Sequence, residues 1–235
     1  MNELALFAGA GGGLLAPHHL LGWRAVGYVE MAEYPCKALE ARIKDGLLSP
    51  APIFQMHTRD FIRLGYARKY RGVAQVVSAG FPCQPFSQAG SMQAGDDERN
   101  GWPDTLCIVR TVQPEWVFLE NVTGLLSGSH GYFGTILGDL AASGYDACWR
   151  VLSAAEMGAP HQRDRIWILA HAKGFGRYGQ GAGNAASNQE WHDKARQQGW
   201  STELYETVPG GEVVAHAQCD RWQQSSEVSQ GRQSL

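Results

Sequence analysis

A chain of 235 residues, 44% of them hydrophobic, holds enough apolar material for one large domain, or for one domain with part of another. Its net charge of −3 excludes bulk positive charge as a means of holding nucleic acid, so any basic contact surface is local. No apolar run reaches membrane-spanning length, and the N-terminus lacks the basic start and small-residue cleavage site of a signal peptide, so a cytoplasmic location is expected. The cysteines, Cys36, Cys83, Cys107, Cys148 and Cys219, contain no C-x-x-C pair. Neither a zinc site nor a disulfide framework is expected, and a reducing compartment fits.

Leu4 to Phe7 reads as a short apolar strand, followed by Ala8-Gly9-Ala10-Gly11-Gly12-Gly13 and a helix over Leu14 to Leu21. Strand, glycine turn and helix form the arrangement that seats a cofactor over a helix N-terminus, because glycine lets the backbone turn tightly and approach a ligand. A G-x-G-x-x-G fingerprint counted from Gly9 requires glycine where Leu14 stands, which weakens a nicotinamide reading. A flexible turn with no ligand fits the same residues. Arg24 to Glu30 is a second strand whose terminal acid lies about 20 residues beyond the loop, a place that suits a ribose diol. A solvated strand-end carboxylate is the alternative. Tyr34 to Lys44 forms an amphipathic helix, Pro50-Ala51-Pro52 breaks the chain, and Ile53 to Met56 is a short strand. Asp60, in Thr58-Arg59-Asp60-Phe61, reads by itself as a cap or turn residue.

Val73 to Ala79 is an apolar run that reads as a buried strand, and it delivers Gly80-Phe81-Pro82-Cys83-Gln84-Pro85-Phe86-Ser87 to the edge of a sheet. Ligands of open α/β sheets bind at that edge. Prolines restrict the loop and hold a thiol in one place; a lone cysteine beside a turn would pack as a small hydrophobe. Gln88 to Asn100 is polar, should be mobile, and is suited to closing over a substrate. A helix runs through Leu106 to Val112. Trp116 to Val122 is an apolar strand ending in Glu120 and Asn121. Burial among apolar neighbours would raise the carboxyl pKa and let it carry a proton at neutral pH; a pair capping the next turn is the other reading. Tyr132 to Ala142 is a helix and Gly144 to Leu152 a strand. Arg163 and Arg165 then enter a strand over Ile166 to Ala170, both on one side of an extended segment. They suit a phosphate or a carbonyl oxygen, or simply solvent. Beyond His171, Gly, Gln, Ser and Asn dominate and apolar periodicity fades.

The octet G-F-P-C-Q-P-F-S, with F-x-G-x-G-G before it and E-N-V and Q-R-x-R after it in that order, resembles the DNA (cytosine-5) methyltransferase family over about residues 4 to 170. The resemblance implies an α/β, Rossmann-like S-adenosylmethionine-dependent methyltransferase fold: a mostly parallel sheet with helices on both faces. It implies a catalytic and cofactor-binding domain over residues 1–172, with 173–235 as a polar, poorly ordered start of a target-recognition region. It implies Cys83 as nucleophile, with Glu120, Arg163 and Arg165 as its catalytic partners. The cofactor, S-adenosyl-L-methionine, would lie against Phe7, Gly9, Gly11, Glu30, Met31, Asp60, Phe61 and Pro82. Gln84 and Ser87 would lie close to a flipped-out base of double-stranded DNA. No metal is implied. The family usually carries Asp where Ala5 stands, and its two later motifs are not found before Leu235. A second polypeptide supplying them is therefore one expectation, as is a chain nearly inactive alone. A non-catalytic remnant or subunit, and an RNA cytosine methyltransferase, are the alternatives.

Overall fold

The computed structural model describes residues 1–82, 100–127 and 131–173, together with 193, 196, 197 and 199. The described residues fall into two compact units, one holding 1–81 and 101–114, the other holding Pro82, Asn100 and the residues from Glu115 onward.

The first unit is built on four parallel strands, β1 (Asn2–Leu6), β2 (Arg24–Glu30), β3 (Ile53–Gln55) and β4 (Val76–Ala79), in the order β3-β2-β1-β4. Its helices are α1 (Gly12–Leu21), α2 (Glu33–Lys44), α3 (Thr58–Arg63) and α4 (Trp102–Val112), with a 3-10 helix over Ala67–Tyr70. All four residues of β4 are buried, as expected of a strand covered on both faces. On one face Ala5, Ala25 and Tyr28 pack with Leu14 of α1, with Leu39 of α2 and with Leu48 just beyond that helix. Each of those leucines contributes about 1.5–3 kcal/mol by its burial. On the other face Gly27 leaves room for the Tyr70 ring, which a side chain at that position would strike. Tyr70 joins Phe54, Phe61 and Tyr66 in an aromatic cluster with centroids 5.0–6.2 Å apart. Helices therefore cover both faces of this unit.

The second unit contains β5 (Trp116–Val122), α5 (Gly124–Ser127), α6 (Tyr132–Ala142), β6 (Tyr145–Ser153) and β7 (Asp164–Ala172). Here β7 lies between β5 and β6 and is antiparallel to both. Three of the described strand pairings are parallel and two antiparallel, which gives the mostly parallel α/β architecture. Because side chains alternate across a strand, Val117, Leu119, Ile166, Ile168 and Ala170 point to one fully buried face. That face receives α6, whose Phe133 meets Trp149 edge to face at 5.2 Å.

Several boundaries differ from those expected. Val73 is exposed and its N–H bonds the Tyr70 carbonyl in a turn, so the buried strand starts at Val76. Among the described residues Cys36 and Cys148 are free thiols. Among the described residues no helix is long and apolar enough to cross a membrane, and no group of three or more His, Cys, Asp or Glu could hold a metal ion.

Candidate active site

The turn after β1 is unusually well tied down. Ala8 N–H bonds the Val29 carbonyl at 3.1 Å, Gly9 N–H bonds Glu30 Oε2 at 2.8 Å, and Gly11 N–H bonds the Ala8 carbonyl at 2.9 Å. The Arg42 guanidinium, reaching in from α2, donates to the Ala10 carbonyl. Glu30 uses its other oxygen to accept from Ala32 N–H at 2.8 Å, so the acid at the end of β2 is fixed by two backbone donors. Gly11 caps α1 at φ 79°, a conformation that penalises any Cβ. A Cβ there would also lie 2.7 Å from Leu48 and 2.8 Å from Leu39. At Gly9, Gly12 and Gly13 a Cβ would meet nothing within 4 Å, so the far side of the turn is open. Phe7 is held at φ 50°, which costs a non-glycine residue on the order of 1–3 kcal/mol. Strain kept beside an open backbone turn is a mark of a ligand site.

Phe7, Gly9, Gly11 and Glu30 are therefore brought together. Met31 follows directly and is 61% exposed, within reach of a ligand over the turn. Asp60 and Phe61 behave otherwise. Asp60 lies in the first turn of α3 and pairs with Arg63 at 3.0 Å. Phe61 is fully buried in the aromatic cluster. The cap of α3 is His57, not Asp60: its Nδ1 accepts from Arg59 N–H at 3.1 Å. His57 and Arg42 were both missed. Nothing in the sequence marked His57 as the cap of α3 or Arg42 as a partner of the glycine turn. Pro82 is exposed at the end of the segment that follows β4. Cys83, Gln84 and Ser87 lie outside the described residues, as does all of Gln88 to Asn100 except Asn100, which is buried and accepts from the Tyr132 hydroxyl at 2.7 Å.

In the second unit Glu120 and Arg165 meet. Glu120 is registered opposite Trp167, and Arg165 opposite Val122, on adjacent antiparallel strands, so both lie on one sheet face. The Arg165 Nε is 2.8 Å from Glu120 Oε1, with side chains 21% and 30% exposed. A second anchor, Arg165 Nη1 to the Asp164 carbonyl at 2.8 Å, fixes the guanidinium. On the same face Phe118 and Trp167 stack at 5.2 Å and 20°. Glu120 is thus not enclosed by apolar neighbours alone, as expected, but is held by a cation and left partly open. Asn121 caps the strand end by accepting from Val122 N–H at 2.9 Å. Arg163 is exposed and makes no part of this pair; its carbonyl accepts from Ala154 N–H in the hairpin.

The sequence model of the C-5 cytosine-specific DNA methylases matches residues 1–228. The Type II methyltransferase M.NgoMIV of Neisseria gonorrhoeae is 30% identical over 170 residues, covering 72% of this chain and 51% of that protein. The Type II methyltransferase M.DsaV of Dactylococcopsis salina is 32% identical over 172 residues, covering 72% of this chain and 45% of that protein. The chain therefore spans about half the length of these curated relatives. Among solved structures, Spodoptera frugiperda DNMT2 superposes with a TM-score of 0.60 at 16% identity, over 76% of this chain and 52% of that one, a likeness of fold.

Proposed function

Because the chain belongs to the C-5 cytosine-specific DNA methylase family, we propose that it carries the catalytic machinery for methylating carbon 5 of cytosine in double-stranded DNA, within residues 1–172. The observation that carries this reading is the Glu120–Arg165 pair at 2.8 Å, formed by residues far apart in sequence at the ends of neighbouring strands. A carboxylate aimed by an arginine, with open space beside it, is what recognition of a cytosine ring edge requires.

The turn at Phe7, Gly9 and Gly11, with Glu30 at its rim, has the geometry to hold S-adenosyl-L-methionine: open backbone on one side, a fixed acid for the ribose hydroxyls, and the N-terminus of α1 beneath. That cofactor supplies an electrophilic methyl group. Met31 and Pro82 would border it. The burial of Phe61 and the Asp60–Arg63 pair supply no support for those two residues in the site.

The roles of the chain's own residues follow from cytosine chemistry. The 5-carbon is a weak nucleophile until a thiolate adds to carbon 6. In this reading the Cys83 sulfur forms that bond, and the ring's 5,6 double-bond electrons shift to carbon 5 as Glu120 hydrogen-bonds or protonates the ring nitrogen. Arg165 keeps Glu120 aimed, and Arg163 holds the carbonyl oxygen or the adjoining backbone. After carbon 5 gains the methyl group, a base, a water for example, removes its proton. The electrons re-form the 5,6 double bond and expel Cys83. The base must leave the duplex to reach the thiol, which puts Gln84 and Ser87 beside the DNA.

Labelled methyl transfer to unmethylated double-stranded DNA tests the proposal, with transfer RNA as competitor and with or without extract of cells that encode the chain. Label in DNA that is lost in Cys83→Ala supports it. Label confined to transfer RNA transfers the chemistry to an RNA substrate. Absence of label in every arm refutes catalysis, and label appearing only with extract makes the chain one part of a larger enzyme.

A further inference from the structure

We infer that Arg42 is a positioning residue for cofactor binding, acting through the Ala10–Gly11 peptide; this rests on the reading of the glycine turn as the S-adenosylmethionine site. Both ends of that peptide are engaged: Arg42 donates to its carbonyl, and its N–H, on Gly11, bonds the Ala8 carbonyl at 2.9 Å. The Ala8–Gly9 peptide is likewise held at both ends, by Glu30 on its N–H and by Gly11 on its carbonyl. The peptide between them, Gly9–Ala10, has no hydrogen-bond partner among the described residues and borders the open side of the turn. Two locked peptides thus present a third to the ligand. Of the two side chains that lock them, Glu30 stands at the rim, whereas Arg42 approaches from the packed side, beside Leu39 and Leu48 under Gly11. Arg42 touches no reacting atom; it prevents a peptide flip that would turn the first-turn donors of α1 away from the ligand. A charged donor on a half-buried carbonyl is stronger than a neutral one and is not replaced by a methionine of similar length.

The test titrates S-adenosylhomocysteine into the full chain by calorimetry, for the unaltered protein, Arg42→Met and Arg42→Lys, with ligand-free melting of each. The expected result is binding by the unaltered chain, about tenfold weaker binding by Arg42→Met, partial recovery in Arg42→Lys, and closely similar ligand-free melting. Equal affinity in Arg42→Met overturns the inference while leaving the cofactor reading intact. A large drop in melting temperature with no recovery in Arg42→Lys overturns it in favour of a general structural role. Failure of the unaltered chain to bind overturns the cofactor reading and the inference together.

Discussion

Glu120 and Arg165 form an ion pair that is neither sealed from water nor fully exposed, so its worth to stability is small while its worth to orientation is large. Glu120→Gln keeps the shape of the side chain but loses the charge that Arg165 aims and the capacity to hold a transferable proton. It should lower the rate of methyl transfer by ~100-fold or more with little change in melting temperature. Arg165→Met should do the same and should also weaken DNA binding, since the guanidinium is removed. Equal activity of Glu120→Gln and the unaltered chain would remove Glu120 from the chemistry. The Glu120 motif was legible in sequence because an acid and an amide at the end of an apolar strand are easy to see. Its partner was named too, but the pairing itself was not, since that depends on β7 running antiparallel beside β5.

The glycine turn is a unit whose glycines do different work. At Gly11 the positive φ and the nearby Leu39 and Leu48 leave no room for a methyl group. Gly11→Ala should therefore destabilise the chain by about 2–4 kcal/mol, measured by urea unfolding. Gly13 lies within α1 and faces open space. Gly13→Ala should leave stability unchanged or slightly raised, by about 0.5–1 kcal/mol, while weakening cofactor binding, because the added methyl projects where a ligand must approach. The reverse pattern would mean that the open side is not the ligand side. Strand–turn–helix was readable here from composition alone, and β2, β5 and α6 have the expected bounds. Asp60 and Phe61 are engaged elsewhere in the fold for a physical reason. Three residues after a short strand the chain is already helical, so Phe61 turns inward to the aromatic cluster and His57 takes the cap. The antiparallel β7 was equally illegible, since alternation gives a strand its faces but not its direction.

Across the whole molecule, buried acids set the response of stability to pH. Burial pushes the Glu3 carboxyl above the ordinary carboxylate range, with the Ser78 hydroxyl and His18 opposing it more weakly. Asp104 is raised for the same reason, against Arg59, His57 and Thr58. The folded chain therefore keeps these protons to a higher pH than the unfolded chain does. Their contribution to stability is fully present below the unfolded carboxylate range and is lost as pH rises through the folded values. Glu3→Gln cannot lose that proton. Its urea midpoint should match that of the unaltered chain near about pH 4 and exceed it toward about pH 7. Midpoints running parallel throughout would mean that Glu3 is not the group responsible.

The proposed reaction passes through a covalent bond between Cys83 and the cytosine, and that bond can be trapped. Double-stranded DNA in which 5-fluorocytosine replaces cytosine carries fluorine where the departing proton should be, so the sulfur cannot leave once carbon 5 is methylated. The measurement is a denaturing gel of the full chain with this DNA and S-adenosyl-L-methionine, followed by mass mapping of the linked peptide. The predicted result is a cofactor-dependent adduct on Cys83 that is absent in Cys83→Ala. A folded, cofactor-binding chain that forms no adduct, or one linked through another residue, would contradict covalent catalysis by this cysteine.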